Sequence, residues 1–309
     1  MKRTLKEYVV LLLKGMSMGA ADVVPGVSGG TIAFISGIYE ELLSSISSFN
    51  FRLIKALKTD GIKSVWIKVN GSFLTALFAG IFVSFISLSR IIETLLRNQP
   101  VLIWSFFFGL VLASIVYIGK QINKWTITTI TLLVLSGSVA FYITRLTPSI
   151  SENASYLFLF LAGMVAVCAM MLPGISGSFI LVILGAYKPI LNALNTKDFS
   201  SLFIFSFGGI VGLLTFSRIL KWFFAIYKDH TLAVLTGFII GSLNKIWPWK
   251  ETISWRINSK GFHVPFSQTS IFPSSFNGDP QIELATLLFL VGFVLVLLLE
   301  KLASKKSNE

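Results

Sequence analysis

Residues 21–39, ADVVPGVSGGTIAFISGIY, place one acid, one proline and four glycines inside an otherwise apolar stretch. Proline lacks a backbone donor and glycine weakens a helix interior, so the pattern predicts a broken helix. Within a membrane, the backbone groups freed by a break need partners in protein or water. The stretch therefore predicts a broken membrane helix beside a cavity.

The rest of the chain has the composition of a membrane protein. Hydrophobic residues make up 54% of the 309 residues, charged residues make up 13%, and the mean hydropathy is +0.79. A water-soluble core does not absorb that much apolar surface. The net charge is +12, but Lys and Arg lie in short clusters between apolar segments, as topology determinants do. We expect membrane contact and no nucleic-acid partner, and residues 1–22 are interpreted as a retained first helix.

The glycine-rich stretch occurs twice. Residues 173–191, PGISGSFILVILGAYKPIL, match residues 25–43 at an offset of 148, with nine of 19 positions identical. A second match at an offset of 128 pairs Gly80 with Gly208 and Arg90 with Arg218. Chance similarity between apolar segments does not align prolines, glycines and serines together, so the chain contains an internal repeat.

The repeat predicts an all-α, polytopic integral membrane protein with two halves, residues 1–150 and 151–309. Each half has a glycine-broken helical hairpin, re-entrant or fully spanning, followed by three transmembrane helices. The hairpins are predicted at 5–49 and 155–195, the helices near 69–90, 101–118, 125–145, 199–220, 231–247 and 283–300, and an external loop at 249–281. A hairpin plus three spans changes sides, so the halves are expected to have inverted topology. Sixteen Lys and Arg residues then face the side of both termini, nine face the other side, Lys245 among them, and Lys14 lies in a hairpin arm. This bias predicts cytoplasmic termini.

The two motifs are candidate anion sites. Pro and Gly followed by Ser or Thr are typical of a helix start, whose unpaired N–H groups and positive dipole end attract phosphate. The alternative is that small residues only permit close helix packing. The candidate substrate-binding residues of the motifs are Gly26, Ser28, Gly29, Gly30, Thr31, Gly174, Ser176, Gly177 and Ser178.

Four further polar or aromatic positions invite a functional hypothesis. Arg90 and Arg218 follow a serine at the end of an apolar span, where they would bind phosphate or extend to lipid headgroups. We expect Tyr39 and Tyr187 to lie in the aromatic belt at the membrane interface.

Asp22 is the acid that falls inside a motif-bearing arm, and its repeat partner is Met170. It is a candidate for coupling to protons or sodium, or a cap of the broken helix. His230 and His263 lie in no pattern with metal-ligand spacing, so we expect no metal and no cofactor.

The segments GAADVVPGVSGGT (19–31) and LPGISGSF (172–179), each followed by Gly-x-Tyr, resemble a bacterial membrane-protein family associated with polyprenyl-phosphate translocation. The resemblance covers nearly the whole chain. It implies that undecaprenyl phosphate, the carrier lipid for envelope polymers, is returned from the outer to the inner leaflet of the cytoplasmic membrane. A polyprenyl-phosphate lipid would then be the partner, with its phosphate on the two motifs and Arg90 and Arg218 as gates.

Two rival functions remain open. A membrane enzyme acting on polyprenyl diphosphate would be expected to have a histidine among Arg, Ser and Gly motifs, and neither histidine lies in such a setting. A channel or transporter for a small soluble anion would use the same helix starts. The residues alone do not separate an anion transporter from a lipid translocase.

Overall fold

The computed structural model describes residues 3–24, 27–50, 52–146, 154–257 and 263–307. The helices of the N-terminal half are α1 (Leu5–Val23), α2 (Gly29–Ile35), α3 (Tyr39–Ser47), α4 (Arg52–Lys68), α5 (Gly71–Ser87), α6 (Ser89–Asn98), α7 (Pro100–Lys120) and α8 (Ile127–Arg145). Those of the C-terminal half are α9 (Tyr156–Met171), α10 (Gly177–Leu184), α11 (Tyr187–Thr196), α12 (Phe199–Ile226), α13 (Lys228–Ser242) and α14 (Ile282–Ser307). A 3₁₀ turn (Leu243–Ile246) follows α13, and the strands β1 (Lys250–Ile257) and β2 (His263–Ser270) precede a second 3₁₀ turn (Pro273–Ser275).

Several helices have the length and the apolar outer surface of membrane-spanning helices. The helices α7, α8 and α12 are each long and apolar enough to cross a membrane, and the described residues hold up to five spans if each of two bent pairs counts as one. Their outward faces are apolar: the exposed fraction is 65% for Phe82 and for Ile86, and 71% for Phe203. Surfaces of this kind are stable in lipid and not in water. The chain is a multi-pass helical membrane protein.

Each glycine motif breaks a helix where the sequence predicts it. The first arm, α1, ends at Val23 and the chain restarts as α2 at Gly29, while α9 ends at Met171 and α10 starts at Gly177. The restarted helices have seven and eight residues, so each extends only about 10–12 Å. Neither α2 nor α10 alone can return across a hydrocarbon layer of about 30 Å. The return arms are therefore short, with α11 bent by 99° from α10.

Left-handed glycines end both return arms. Gly37 has φ +70° and Gly185 has φ +77°, two residues before α3 and α11 begin. Side chains with a Cβ rarely adopt this backbone region, so the repeated Gly-x-Tyr marks the same turn twice. The two positions are related by the offset of 148.

The two halves use equivalent helix pairings. The helix α1 packs along α5 as α9 packs along α12, and α7 packs along α14 as α13 packs along α8. Glycines allow the close approach: a Cβ on Gly15 would overlap the carbonyl oxygen of Leu77, and one on Gly163 would overlap that of Phe205. Gly15 and Gly163 are related by the offset of 148, and Leu77 and Phe205 by the offset of 128. The inverted orientation of the two halves across the membrane stays a prediction.

The predicted external loop, 249–281, contains a β-hairpin. The strands β1 and β2 pair antiparallel, and the indole N–H groups of Trp247 and Trp249 donate to the carbonyl oxygens of Ile271 and Pro280 at 2.8 and 2.9 Å. The Trp247 ring packs edge-on against Phe108 of α7, with 5.4 Å between ring centroids. The hairpin is thereby fastened to the end of the helical bundle.

Candidate functional site

The two glycine motifs meet, although 142 to 143 residues separate the bonded positions. The Gly174 N–H donates to Thr31 Oγ1 at 3.0 Å, and the Ser28 hydroxyl donates to the Met170 carbonyl oxygen at 3.3 Å. Both Ser28 and Thr31 are buried. The contact joins the break of one half to the break of the other, so the two breaks form one structural unit.

Tyr39 strengthens this junction. Its hydroxyl donates to the Met171 carbonyl oxygen at 2.7 Å, and only 4% of the residue is exposed. The prediction that Tyr39 lies in the interfacial aromatic belt is wrong, because the side chain reaches inward to a carbonyl that the end of α9 leaves unpaired. A polar tip on an aromatic ring suits both environments, which is why the residue type alone did not distinguish them.

The start of α2 is capped by the protein itself. Asp22 Oδ1 accepts the Gly29 N–H at 2.7 Å, Ser28 Oγ accepts the Gly30 N–H at 3.1 Å, and the Ser28 carbonyl accepts the Thr31 N–H at 2.9 Å. At the other end of α2, the Lys14 ammonium donates to the Ser36 carbonyl oxygen at 2.6 Å. An anion at the N-terminus and a cation at the C-terminus both interact favourably with the helix dipole. A phosphate would reach these first-turn amides only by displacing Asp22.

The first two residues of α2 have no room for a side chain, so both positions require glycine. A Cβ on Gly29 would lie 2.5 Å from Asp22 Oδ2, and one on Gly30 would lie 3.1 Å from the Met170 carbonyl oxygen. The glycines of the first motif therefore admit a carboxylate of the same chain and the backbone of the other half. Gly26 lies outside the described residues.

The start of α10 is different, because it carries no such cap. Ser176 occupies the N-cap position without a side-chain cap hydrogen bond, and its hydroxyl lies 2.9 Å from that of Ser178. Within the described residues, the N–H groups of Gly177 and Ser178 have no hydrogen-bond acceptor. Unpaired N–H groups at a helix start are donors available to an anion.

A small pocket opens beside this uncapped start. Residues from α8, the break before α10, the first turn of α10, the end of α13 and the 3₁₀ turn after it line the pocket: Ala140, Ile143, Thr144, Gly174, Ile175, Ser176, Phe179, Ser242 and Lys245. The Lys245 ammonium lies over the Phe179 ring, 4.3 Å from its centroid. The surface of the pocket is mostly apolar and its free space is close to that of one water molecule. The hydroxyls of Thr144 and Ser242 donate to the carbonyl oxygens of Phe141 and Ile239, so the Lys245 ammonium and the Ser176 hydroxyl are its available polar groups.

Lys245 is a residue that the sequence analysis missed, since it was counted among the charges of the external side. One signal could have found it: Ser242 is the last residue of the second repeat match, and Lys245 follows three residues later on the same helical face. The repeat is therefore asymmetric in charge. A carboxylate lies at the first motif, and an ammonium lies at the second.

The two predicted arginines lie apart from the motif junction. The Arg90 side chain is exposed on α6, whereas the Arg218 guanidinium on α12 donates to the Phe49 carbonyl oxygen just beyond α3. Neighbouring Lys221 donates to Ser44 Oγ at 3.0 Å. Arg218 thus binds a helix end, and the gating role of both arginines stays a prediction.

The fold and site define a helical membrane protein whose two halves meet through broken helices, a plan typical of secondary transporters. Residues 18–264 match the family described as VCA0040-like, undecaprenyl phosphate translocase-like. The chain belongs to this family.

Two curated relatives support the assignment. A polyprenyl-phosphate transporter of Vibrio cholerae serotype O1 is 48% identical over 302 residues, covering 96% of this chain and 98% of the relative. A polyprenyl-phosphate transporter of Staphylococcus aureus is 33% identical over 277 residues, covering 82% and 92%. No solved structure matches the chain. The relatives are named as transporters and not as enzymes.

Proposed function

We propose that this protein translocates a polyprenyl phosphate across the membrane, and that undecaprenyl phosphate is the lipid it returns from the outer to the inner leaflet. The family and both relatives support a lipid transporter. The observation that carries the mechanism is the junction of the two breaks through Thr31 and Gly174, with the α10 start uncapped beside it.

The barrier to unaided transfer is the charged headgroup, because moving a charge through hydrocarbon is expensive. Amide and hydroxyl donors at the α10 start would replace the water that the phosphate loses, while the prenyl tail stays in lipid. Ser176 and Ser178 supply hydroxyls, and the N–H groups of Gly177 and Ser178 supply backbone donors. In this proposal the second motif binds the phosphate.

The first motif has a different part in the mechanism. Because Asp22 and Ser28 occupy its amides, α2 would act as the support against which the second break is positioned. Release of Asp22 from Gly29 would free a donor of the first motif, so protonation or cation binding at Asp22 would link transport to an ion gradient. The coupling ion in this proposal is a proton or sodium.

The orientation belongs to the same proposal. With both termini in the cytoplasm, the hairpin formed by β1 and β2, the start of α7 and the end of α8 lie on the outer side. The pocket at Ser176 and Lys245 is lined by the end of α8 and so opens toward the outer leaflet.

Purified protein in sealed liposomes tests the function. Fluorescent polyprenyl phosphate placed in both leaflets should become fully accessible to an external phosphatase at a rate that rises with protein content. Lipid that stays half protected in the presence of folded protein would contradict the proposal. Uptake of labelled inorganic phosphate under those conditions would indicate the soluble-anion transporter instead.

A further inference from the structure

Two lysines lie together without an acidic partner at the foot of the β-hairpin. The Lys250 ammonium donates to the Lys245 carbonyl oxygen at 2.7 Å and lies over the Trp104 ring, 3.3 Å from its centroid. Neither lysine forms an ion pair with any carboxylate of the described residues. The local charge is therefore not neutralised by the protein.

Such a pair is unfavourable in the unliganded protein. Burial lowers the pKa of Lys250 well below its usual range, and the charge of Lys245 adds to that effect. This environment therefore disfavours the charged form of Lys250 in the absence of a counter-charge. A bound anion would supply that counter-charge.

The surroundings fix both lysines in place. The Trp247 and Trp249 indoles bind carbonyl oxygens beyond β2, and the Ile271 N–H donates to the Trp249 carbonyl oxygen at 3.1 Å. These bonds hold the segment between Lys245 and Lys250 against the start of α7. A preorganised cation needs less reorganisation to bind its ligand.

The pocket connects Lys245 to the second motif. Lys245 lines it together with Ser176 and Thr144, and its ammonium lies over the ring of Phe179 in the first turn of α10. The ammonium of Lys245 and the hydroxyl of Ser176, which is paired with the Ser178 hydroxyl, are donors suited to the oxygens of a phosphate monoester.

We propose that Lys245, assisted by Lys250, forms an entrance site that captures the phosphate monoester of the substrate before it reaches the α10 start. The site rests on the proposed function for its lipid ligand. It draws on both halves of the chain, because Trp104 belongs to α7 whereas Lys245 and Phe179 belong to the C-terminal half. The chemistry it recognises is a phosphate monoester, carried either by a prenyl lipid or as free phosphate.

Binding to the purified full-length protein in detergent tests the site directly. The ligands are farnesyl phosphate, farnesol and inorganic phosphate, and the variants are Lys245→Gln, Lys250→Gln and the double variant. Exposed Lys63 on α4 provides the matched control Lys63→Gln. Loss of one charge-assisted contact should weaken farnesyl phosphate binding by about tenfold in Lys245→Gln, whereas Lys63→Gln should bind as the wild type does.

Two further variants separate binding from folding. Lys245→Arg keeps a cation and should retain binding within about threefold, since phosphate accepts both side chains. Lys250→Met removes an amine whose charged form this environment disfavours, so it should raise the unfolding temperature while weakening farnesyl phosphate binding. If Lys250 had a purely structural role, Lys250→Met would lower the unfolding temperature.

The outcomes distinguish this proposal from the proposed function. Farnesyl phosphate binding that is unchanged in the folded double variant overturns the entrance site, even if lipid translocation persists. Lysine-dependent binding by a protein that fails to translocate lipid supports the site and overturns the lipid function. Farnesyl phosphate binding well above that of inorganic phosphate identifies the lipid as the source of the phosphate, and the reverse order identifies free phosphate.

Discussion

Asp22 Oδ1 accepts the backbone N–H of Gly29 at 2.7 Å, so a carboxylate of α1 occupies the helix start that the sequence offered to a phosphate. The equivalent position in the second half is Met170, and the α10 start has no cap. Two motifs of similar sequence therefore differ in chemistry. The helix start at the first motif is capped by Asp22 and Ser28, and the helix start at the second motif has no side-chain cap.

Removing the Asp22 cap should destabilise the fold. Asp22→Ala leaves the Gly29 N–H without its acceptor, which costs about 1–2 kcal/mol at a helix N-terminus. Asp22→Asn keeps an acceptor oxygen and should lose less. Unfolding temperatures of both variants in detergent measure the difference.

Gly29→Ala supplies the control for that interaction. Its Cβ would lie 2.5 Å from Asp22 Oδ2, so the single variant should be destabilised. Combined with Asp22→Ala, the two losses should not add, because the clash disappears with the carboxylate. Additive losses would contradict the assigned contact.

The junction between the halves depends on the Thr31 hydroxyl. Thr31→Val leaves the buried Gly174 N–H unpaired, with an expected loss of about 1–3 kcal/mol and of most lipid translocation. Thr31→Ser keeps the acceptor and should retain both. Thr94→Val, at an exposed threonine bonded only within its helix turn, is the matched control. A Thr31→Val protein that behaves like Thr94→Val would argue against the junction.

Glycines at the two equivalent helix crossings should be equally intolerant of a side chain. A Cβ at Gly15 or Gly163 would overlap a backbone carbonyl oxygen of the facing helix, so each alanine variant should lose about 1–3 kcal/mol or more. Gly119 in α7 faces open space where a Cβ would lie, and Gly119→Ala should be neutral or stabilising by up to about 1 kcal/mol. Thermal unfolding of the three variants decides this. Tolerance at Gly15 or Gly163 would contradict the close packing.

Coupling through Asp22 predicts a selective defect. Asp22→Asn removes the titratable charge but keeps an acceptor for Gly29, so folded variant protein should still exchange lipid between leaflets. Its rate should no longer respond to an imposed pH gradient or sodium gradient, whichever accelerates the wild type. A gradient response equal to that of the wild type would remove Asp22 from the coupling mechanism.

The sequence predicted the elements that backbone chemistry determines. Pro25, Pro173 and the glycines marked both breaks, and a helix lies in each of the six predicted segments, because long apolar runs in a membrane must pair their own backbone groups. The bounds differ: α5 ends at Ser87, and α13 ends at Ser242. Gly37 and Gly185 marked the turns that require positive φ.

What the sequence did not predict depends on long-range contacts. The β-hairpin of 250–270 lacks a clear alternating pattern, and indole contacts with α7 and with residues beyond β2 hold it in place. Tyr39 was assigned to the interface because only the fold reveals the Met171 carbonyl that it binds. Lys245 was assigned to the external charges because the count of Lys and Arg residues predicts only the side of the membrane. The pocket that Lys245 lines becomes visible only in the fold.

The most direct test of the central claim is the leaflet accessibility of undecaprenyl phosphate in sealed proteoliposomes containing the wild type, Ser176→Ala/Ser178→Ala or the exposed control Ser87→Ala. Neither Ser176 nor Ser178 caps a helix by its side chain, so the double variant should fold normally. We expect rapid protein-dependent exchange in the wild type and in Ser87→Ala, and exchange slowed by about tenfold or more in the double variant. Equal exchange in all three proteins would contradict phosphate binding at the second motif.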